Sequence, residues 1–454
     1  MVVGEKEKGA KKLVLCDQFK PLTLTLNLLS FVPTPPLFHV SMNVIRNQLP
    51  QPFHNTTMVA VPKVVIAGGG IVGTSIAYFL APADVELVLV DPVGIAPAAS
   101  AKAGGFLART WRDGTVLQDM QRRGFALHQE LANELGADRI DYRRLSCYSV
   151  AVGRQGPAHP SEVKWADLNV RDCTSMGQPE DIAQVHPRKL CQTLWNETVQ
   201  RSPTATLRQG RIVKALTDSN DGSSKAVTGV QLDDGSTLDA DVLVCACGPW
   251  THEAQTWFND DNDDNAKAAH SSTSILPTIT SVKCHSMLVA NPEPLDQAVF
   301  FTSLDADLLD PEADVEVYPR PDGDCYVNGF PDEEGIISEQ PGQEEVVDDE
   351  IALLQQAMER TSSILGQMEP HTTQVNRHCL VGGTQLLDGE VTVSFLTFNF
   401  HVPGLLLARK SRWITLYWTD SGYFGSIHGN GTFRLGYSAG THYGQGHGRA
   451  NFEW

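Results

Sequence analysis

The chain has 454 residues, 41% of them hydrophobic, with 35 basic and 54 acidic side chains and a formal charge of −19. That length predicts two domains, or one domain with a large insertion, and the acidic balance excludes a nucleic-acid partner, whose phosphates would be repelled. No apolar run reaches the ~18 residues of a membrane span, and the nine cysteines lack zinc-site spacing, so we expect a soluble cytoplasmic protein with buried reduced thiols and no metal.

Residues 1–57 read as a tail. Lys6, Lys8, Lys11 and Lys12 precede a modest apolar patch, Leu22–Val32, and then Pro33, Pro35 and Pro36. A secretory signal fits poorly, because Thr23, Thr25, Asn27 and Ser30 interrupt the patch and no clean small-residue cleavage site follows. A mitochondrial presequence fits no better, with Glu5, Glu7 and Asp17 present and Arg46 the one arginine. We expect a disordered extension ahead of Met58.

The stretch Pro62–Gly73 organises the rest of the chain. A β-branched run meets glycines spaced Gly68-x-Gly70-x-x-Gly73, and a helical pattern continues through Leu80. A second apolar run, Val85–Val90, ends at Asp91, eighteen residues after Gly73. The first glycine permits a tight turn, the second lets a pyrophosphate approach, and the third lets helix pack on strand. The helix start offers free N–H groups and a positive dipole end to phosphate. Asp91 lies where a carboxylate can bind a ribose hydroxyl. With strands, helix and acid in register, the pattern predicts a dinucleotide site rather than a plain turn. NAD and FAD both fit it.

Small residues dominate Ala96–Ala108, a composition that lets backbone pass close to a flat ligand, or simply makes a flexible linker. Val116–Leu135 has helical apolar spacing, and Tyr142–Val150 alternates as a strand. Gly210–Leu216 and Val227–Leu232 read as short strands, and Ala240–Cys247 as a buried parallel strand. Cys245 and Cys247, two apart, should share a face. In Phe258–Asn265, Asp260, Asn262 and Asp264 suggest a calcium loop, but Asn265 replaces the glycine at position six and no closing glutamate follows, so a solvated loop is expected. Thr280–Ala290, Glu316–Tyr318 and Cys325–Gly329 look like strands of a second sheet, and Glu345–Ile364 like a helix. From about Leu380 Gly, His, Trp and Thr accumulate, and the last stretch, Gly429–Trp454, is Gly-rich without helical periodicity.

Taken together these stretches resemble the FAD-dependent oxidoreductases of the D-amino-acid oxidase superfamily, which includes glycine and sarcosine oxidases. The likeness is strongest to uncharacterised cytoplasmic oxidoreductases of fungi and plants in that group. It is carried by Val64–Asp91; by Ala99–Arg109, similar to the family's Gly-Gly loop under the flavin; by Ala183–Pro187, like its Gln-Val-His-Pro; and by Gly210–Val213 with Ala240–Trp250. Val315–Gly323 is similar to the substrate-domain strand of the subgroup. The resemblance covers roughly residues 60–380 and favours FAD over NAD.

The resemblance implies an α/β architecture. A discontinuous Rossmann-like FAD-binding domain would take 58–110 and 175–262, and a substrate domain on an antiparallel sheet would take 111–174 and 263–378. Residues 379–454 lack the family's C-terminal motifs; Ser438–His442 is only an echo of them, and the segment is expected to be atypical, an altered reading without regular structure. Implied cofactor contacts are Gly68, Gly70, Ile71, Val72, Gly73, Asp91, Ala103, Gly104, Gly105, Val213, Cys247, Gly248 and Trp250. Arg109 and Arg112 match an Arg-x-x-Arg pair that would clamp a substrate carboxylate, although exposed arginines at a helix start would read the same. Tyr318, Arg320 and His186 are expected to be structural. The loop Ser100–Gly104 has no histidine or cysteine for a flavin link, so FAD should be non-covalent, and the oxygen-activating lysine of sarcosine oxidases has no match near Glu334–Ile337. The implied reaction is hydride transfer from the CH–NH bond of a small amine or amino acid to flavin. Two alternatives stand beside it: a flavin-fold protein without turnover that serves binding or trafficking, and an NAD-dependent dehydrogenase.

Overall fold

A computed structural model describes residues 12–17, 20–25, 61–115, 117–153, 159–218, 226–258, 279–304, 315–332, 337–381, 404–409 and 412–417. The chain divides into two units, Met1–Val59 and Ala60–Trp454. The first unit is not wholly without structure: β1 (Lys12–Asp17) and β2 (Lys20–Thr25) pair antiparallel.

The second unit opens with β3 (Lys63–Ala67), α1 (Ile71–Leu80) and β4 (Glu86–Asp91). There follow α2 (Ala99–Lys102), β5 (Phe106–Ala108), α3 (Gln118–Leu135), β6 (Arg143–Arg144), β7 (Ser146–Val152), β8 (Val170–Gly177) and β9 (Ile182–Gln184). The middle of the unit carries α4 (Pro187–Arg201), β10 (Thr206–Gln209), β11 (Ile212–Asp218), β12 (Ala226–Leu232), β13 (Thr237–Asp239) and β14 (Val242–Cys245). A 3-10 turn, Gly248–Gln255, leads to β15 (Ile279–Ala290), β16 (Gln297–Leu304), β17 (Val315–Pro319) and β18 (Asp324–Asp332). Last come α5 (Asp348–Thr361), β19 (Pro370–Val381), β20 (Gly404–Arg409) and β21 (Arg412–Tyr417).

The nucleotide-type sheet has the order β10-β4-β3-β14-β20-β21. Its first four strands are parallel, and β20 and β21 add two antiparallel strands at one edge. These two fall within 379–454, so that segment is not devoid of regular structure. Alternation along β3 explains its central place: Val64 and Ile66 pack with Ile76 of α1 and Trp195 of α4, while Val65 and Ala67 pack with Val230, Leu243 and Trp257 on the other face. Val65 and Ile66 are wholly buried, which stabilises by roughly 1.5–3 kcal/mol per side chain.

The second sheet has the order β19-β15-β18-β17-β16-β7-β8. It is mixed rather than purely antiparallel, because β16 runs parallel to β7. One face carries Val317, Val327, Met287 and Val289 against Leu354, Ala357 and Met358 of α5. The opposite face carries Tyr318 and Tyr326 with Cys147 and Phe106. A small sheet, β5-β9-β6, lies beside this second face. The calcium-like loop after Phe258, the stretch 333–336 and the motif echo at 438–442 lie outside the described residues. Among those described, no helix is long and apolar enough to cross a membrane.

Candidate functional site

Backbone requirements build the first part of the site. Gly68 turns the chain out of β3 at φ +109, and its N–H donates to the Val90 carbonyl at 2.7 Å. A Cβ there would collide with the Ala246 carbonyl at the end of β14, and a Cβ on Gly73 would collide with the Gly68 carbonyl. Both positions therefore hold α1 against the strand ends. The start of α1 has no side-chain cap on Gly70, and its Ile71 N–H donates to Ser100 Oγ at 3.0 Å.

These elements wall a cleft of about 950 Å³, open solvent included, with Gly68, Gly70, Ile71, Val72 and Asp91 on one side and Arg211, Cys247, Gly248 and Trp250 on the other. Asp91 is nearly buried. Its Oδ1 accepts from the Val93 and Gly94 amides and its Oδ2 from Gly69, each at 2.8 Å. A carboxylate offers about four lone-pair sites, so Oδ2 keeps one acceptor for a ligand hydroxyl. Burial pushes this carboxyl's pKa up, and the three amides offset only part of that rise.

The segment from Ser338 to Glu344 borders the cleft. The Trp250 indole donates to the Ser338 carbonyl at 2.8 Å, and Arg211 donates to the Glu339 carbonyl while holding both oxygens of Glu253 at 2.8 Å. Lys102 Nζ donates to the Gly342 carbonyl at 2.8 Å and lies 3.6 Å from the buried Glu344 carboxylate. Burial lowers the Lys102 pKa, and the Glu344 charge opposes that.

A second cavity of about 730 Å³ shares Ile71, Ala99 and Ser100 with the first. The loop Ala103–Leu107 forms one wall, and Glu316, Tyr318, Tyr326 and Asn328 form another. Gly105, at φ +79, packs so tightly on the Val185 carbonyl that no side chain fits. The Glu316 carboxylate accepts from the Tyr318 hydroxyl at 2.7 Å and from Asn328 Nδ2 at 3.1 Å. Burial, then the Glu316 charge, drives the Tyr318 phenol well above its usual range. His128 also lines this cavity; Nδ1 meets the Gly124 carbonyl at 2.9 Å, and burial lowers its pKa.

Most of the expected cofactor-site residues line one cavity or the other: Gly68, Gly70, Ile71, Val72, Asp91, Cys247, Gly248 and Trp250 the first, Ala103, Gly104 and Gly105 the second. Gly73 lies beneath the loop as packing. The Val213 side chain turns away from the cleft: it is 43% exposed, whereas its neighbour Ile212 is 4% exposed and lines the cleft, because strand alternation turns the two opposite ways. Arg109 and Arg112 line neither cavity. Arg109 Nε is paired with Asp181 at 2.6 Å near the surface, and the Arg112 amide donates to Gln121 at 2.6 Å, which anchors the turn before α3. Cys245 and Cys247 do share a side; each feels the other's thiol, and that contact with burial drives Cys247 well up, so it stays a thiol.

His186 precedes α4, with Nε2 3.6 Å from Asp322. Burial, then Arg320, lower its pKa to about 4, so the approach is no ion pair near neutral pH. Lys189 already bridges Asp141 and Asp322 there. Arg320 is buried, donates to the Ala103 carbonyl at 2.9 Å and lies 5.1 Å over the Tyr326 ring.

Sequence reasoning missed Ser100, Arg211, Glu316, Tyr326 and Asn328. For the last three a signal existed: Val315 and Val317, like Cys325 and Val327, claim the core face, which leaves residues 316, 318, 326 and 328 together on the other.

The "Putative oxidoreductase C1F5.03c" of Schizosaccharomyces pombe is 26% identical over 332 residues, spanning 67% of this chain and 79% of that one. Glycine oxidase from Bacillus cereus superposes with a TM-score of 0.54 at 17% identity, over 70% of this chain and 84% of that one. Iminodiacetate oxidase from Chelativorans sp. gives 0.52 at 17% identity, over 71% and 85%. At such identities the two structures show a shared fold. The family model of FAD-dependent oxidoreductases (DAO) matches residues 63–413, and the chain belongs to that family.

Proposed function

We propose that this protein is an FAD-dependent oxidoreductase acting on the CH–NH bond of a small amine or amino acid, with FAD held non-covalently. The observation that carries the reading is that the two cavities are neighbours, both lined by Ile71, Ala99 and Ser100. A dinucleotide cleft thus adjoins a pocket with its own polar wall. The residues fit the group: Gly68 and Gly70 leave backbone room for a pyrophosphate, the start of α1 favours its charge, and Asp91 keeps an acceptor for ribose. Ala103–Gly105 fit a small-residue loop for the flavin ring, and the polar wall facing them across the second pocket supports a substrate site beside that ring.

Bound flavin would supply the two-electron acceptor. The chain's own task is to orient the substrate and keep water away, and Phe106, Tyr318 and Tyr326 give that pocket its apolar faces. Non-covalent attachment is supported by the loop, which offers Lys102 engaged with Glu344, and by the protonated Cys247 thiol. A cytoplasmic location belongs to the same proposal, supported by free buried thiols such as Cys191 and Cys245.

Purified protein reconstituted with FAD should turn yellow, and its visible band should bleach under argon with a member of an amine and amino-acid panel. Acid precipitation should release the flavin into the supernatant. A folded protein that takes up no FAD would overturn the proposal.

A further inference from the structure

The geometry points to a protonated amine as the occupant of the second pocket, its ammonium held by Glu316, Asn328 and Tyr326 rather than a carboxylate held by arginine. This rests on the reading above and narrows its substrate class.

Strand register assembles the group. Glu316 of β17 pairs opposite Asn328 of β18, and Tyr318 opposite Tyr326, so the four side chains share one face. The Glu316 carboxylate can only accept, so the Asn328 amide must turn its NH₂ toward it. Asn328 Oδ1 is thereby left over, and this buried acceptor has no hydrogen-bond partner. Asn328 is 7% exposed and Tyr326 1%. The Tyr326 hydroxyl, beside Ser286, also lacks a well-formed hydrogen bond. A buried acceptor without a donor is costly to leave unpaired, and a ligand rich in donors would recover that cost. An ammonium carries three donors and no acceptor.

Charge and shape agree. Burial, with the neighbouring Glu316 carboxylate, pushes up the pKa values of Tyr318, Tyr326, Cys147 and Cys284. Tyr318 stacks with Phe106 at 5.4 Å and with Tyr326 at 6.0 Å between ring centroids, and such faces attract cations. His128 adds to the same bias: Nδ1 must donate to the Gly124 carbonyl, which leaves Nε2 of the neutral ring as an acceptor. Among the described lining residues none is lysine or arginine. Arg320, across the Tyr326 ring, donates from Nη2 to the Ala103 carbonyl; its buried Nε has no hydrogen-bond partner, but its side chain does not line the pocket.

Calorimetric titration of the FAD-loaded protein under argon at neutral pH, with benzylammonium and with benzoate as probes, decides the matter. The two probes have nearly the same shape and opposite charge. Benzylammonium should bind at least tenfold more tightly than benzoate. Glu316→Gln should weaken benzylammonium at least tenfold and leave benzoate unchanged or improved, and Tyr326→Phe should weaken benzylammonium about threefold. Benzoate binding as well as or better than benzylammonium would overturn the proposal and assign the pocket to carboxylates near Arg320. So would a folded Glu316→Gln protein that binds benzylammonium like the parent. If Glu316→Gln does not fold, the charge preference of the unmodified protein decides alone. If the protein takes up no FAD, the broader function fails, and the same titration on the FAD-free chain still settles which charge the pocket accepts.

Discussion

The two cavities share three residues and are built on opposite plans. The cleft under Gly68–Gly73 is a backbone surface, shaped by positions where a Cβ has no room and by amides that fix one carboxylate. The pocket beside β17 and β18 is a side-chain surface, shaped by paired rings, a carboxylate and an amide. A backbone surface recognises what all dinucleotides have in common and tolerates no substitution. A side-chain surface can change while the backbone path stays the same, so it is where related enzymes can differ in substrate.

The largest effect should follow from adding bulk to the backbone surface. Gly73→Val places carbons in the Gly68 carbonyl and should lower unfolding free energy by about 3 kcal/mol, read by urea unfolding followed through tryptophan fluorescence. A variant as stable as the parent would mean the turn is plastic, and the contrast would collapse. Next in size, Asp91→Ala strands the amides of Gly69, Val93 and Gly94. FAD affinity in an equilibrium titration should drop roughly 10- to 100-fold, the worth of one hydrogen bond to a charged group.

A third test concerns His186, which sits between Val185 and Pro187 of the side-chain pocket. Its folded pKa is about 4, below the unfolded value of about 6.5. The unfolded chain therefore takes up the proton first as pH falls. Stability is complete above about 6.5, declines toward 4 by on the order of 2–3 kcal/mol, and levels off below. His186→Asn should flatten that part of the pH profile of the unfolding midpoint; an unchanged slope would assign it to other groups. The smallest effect is expected from Arg109→Ala, which removes an ion pair with both partners at least a third exposed and should cost at most ~1 kcal/mol. Its ligand titrations should match the parent. A tenfold loss for carboxylate ligands would restore Arg109 as a substrate clamp.

The contrast also governs what can be read from the sequence. Gly68, Gly70, Gly73 and Asp91 are legible because one local turn dictates their spacing. Glu316 and Asn328 meet only through β17–β18 pairing, which depends on where each strand starts. Which of Ile212 and Val213 turns its side chain to the cleft is a matter of strand phase, and in a strand one residue reverses the face. Arg109 and Arg112 rest on likeness to an Arg-x-x-Arg pair. Their partners Asp181 and Gln121 become visible only once the chain is folded. The strands β20 and β21 escape a reading by pattern because the C-terminal stretch offers no clear period.

The register of β3 against β14 has a consequence for the making of the protein. Val64 pairs with Val242, and Ala67 with Cys245, so one edge of the strand that founds the nucleotide sheet finds its partner 178 residues downstream. At ~5–20 residues per second of synthesis, that edge stays open for on the order of ten to forty seconds. Until then an apolar strand can pair on that side with another nascent chain. Output of correctly folded protein should therefore respond to elongation speed and to chaperone supply between codons 68 and 246, and much less outside that interval.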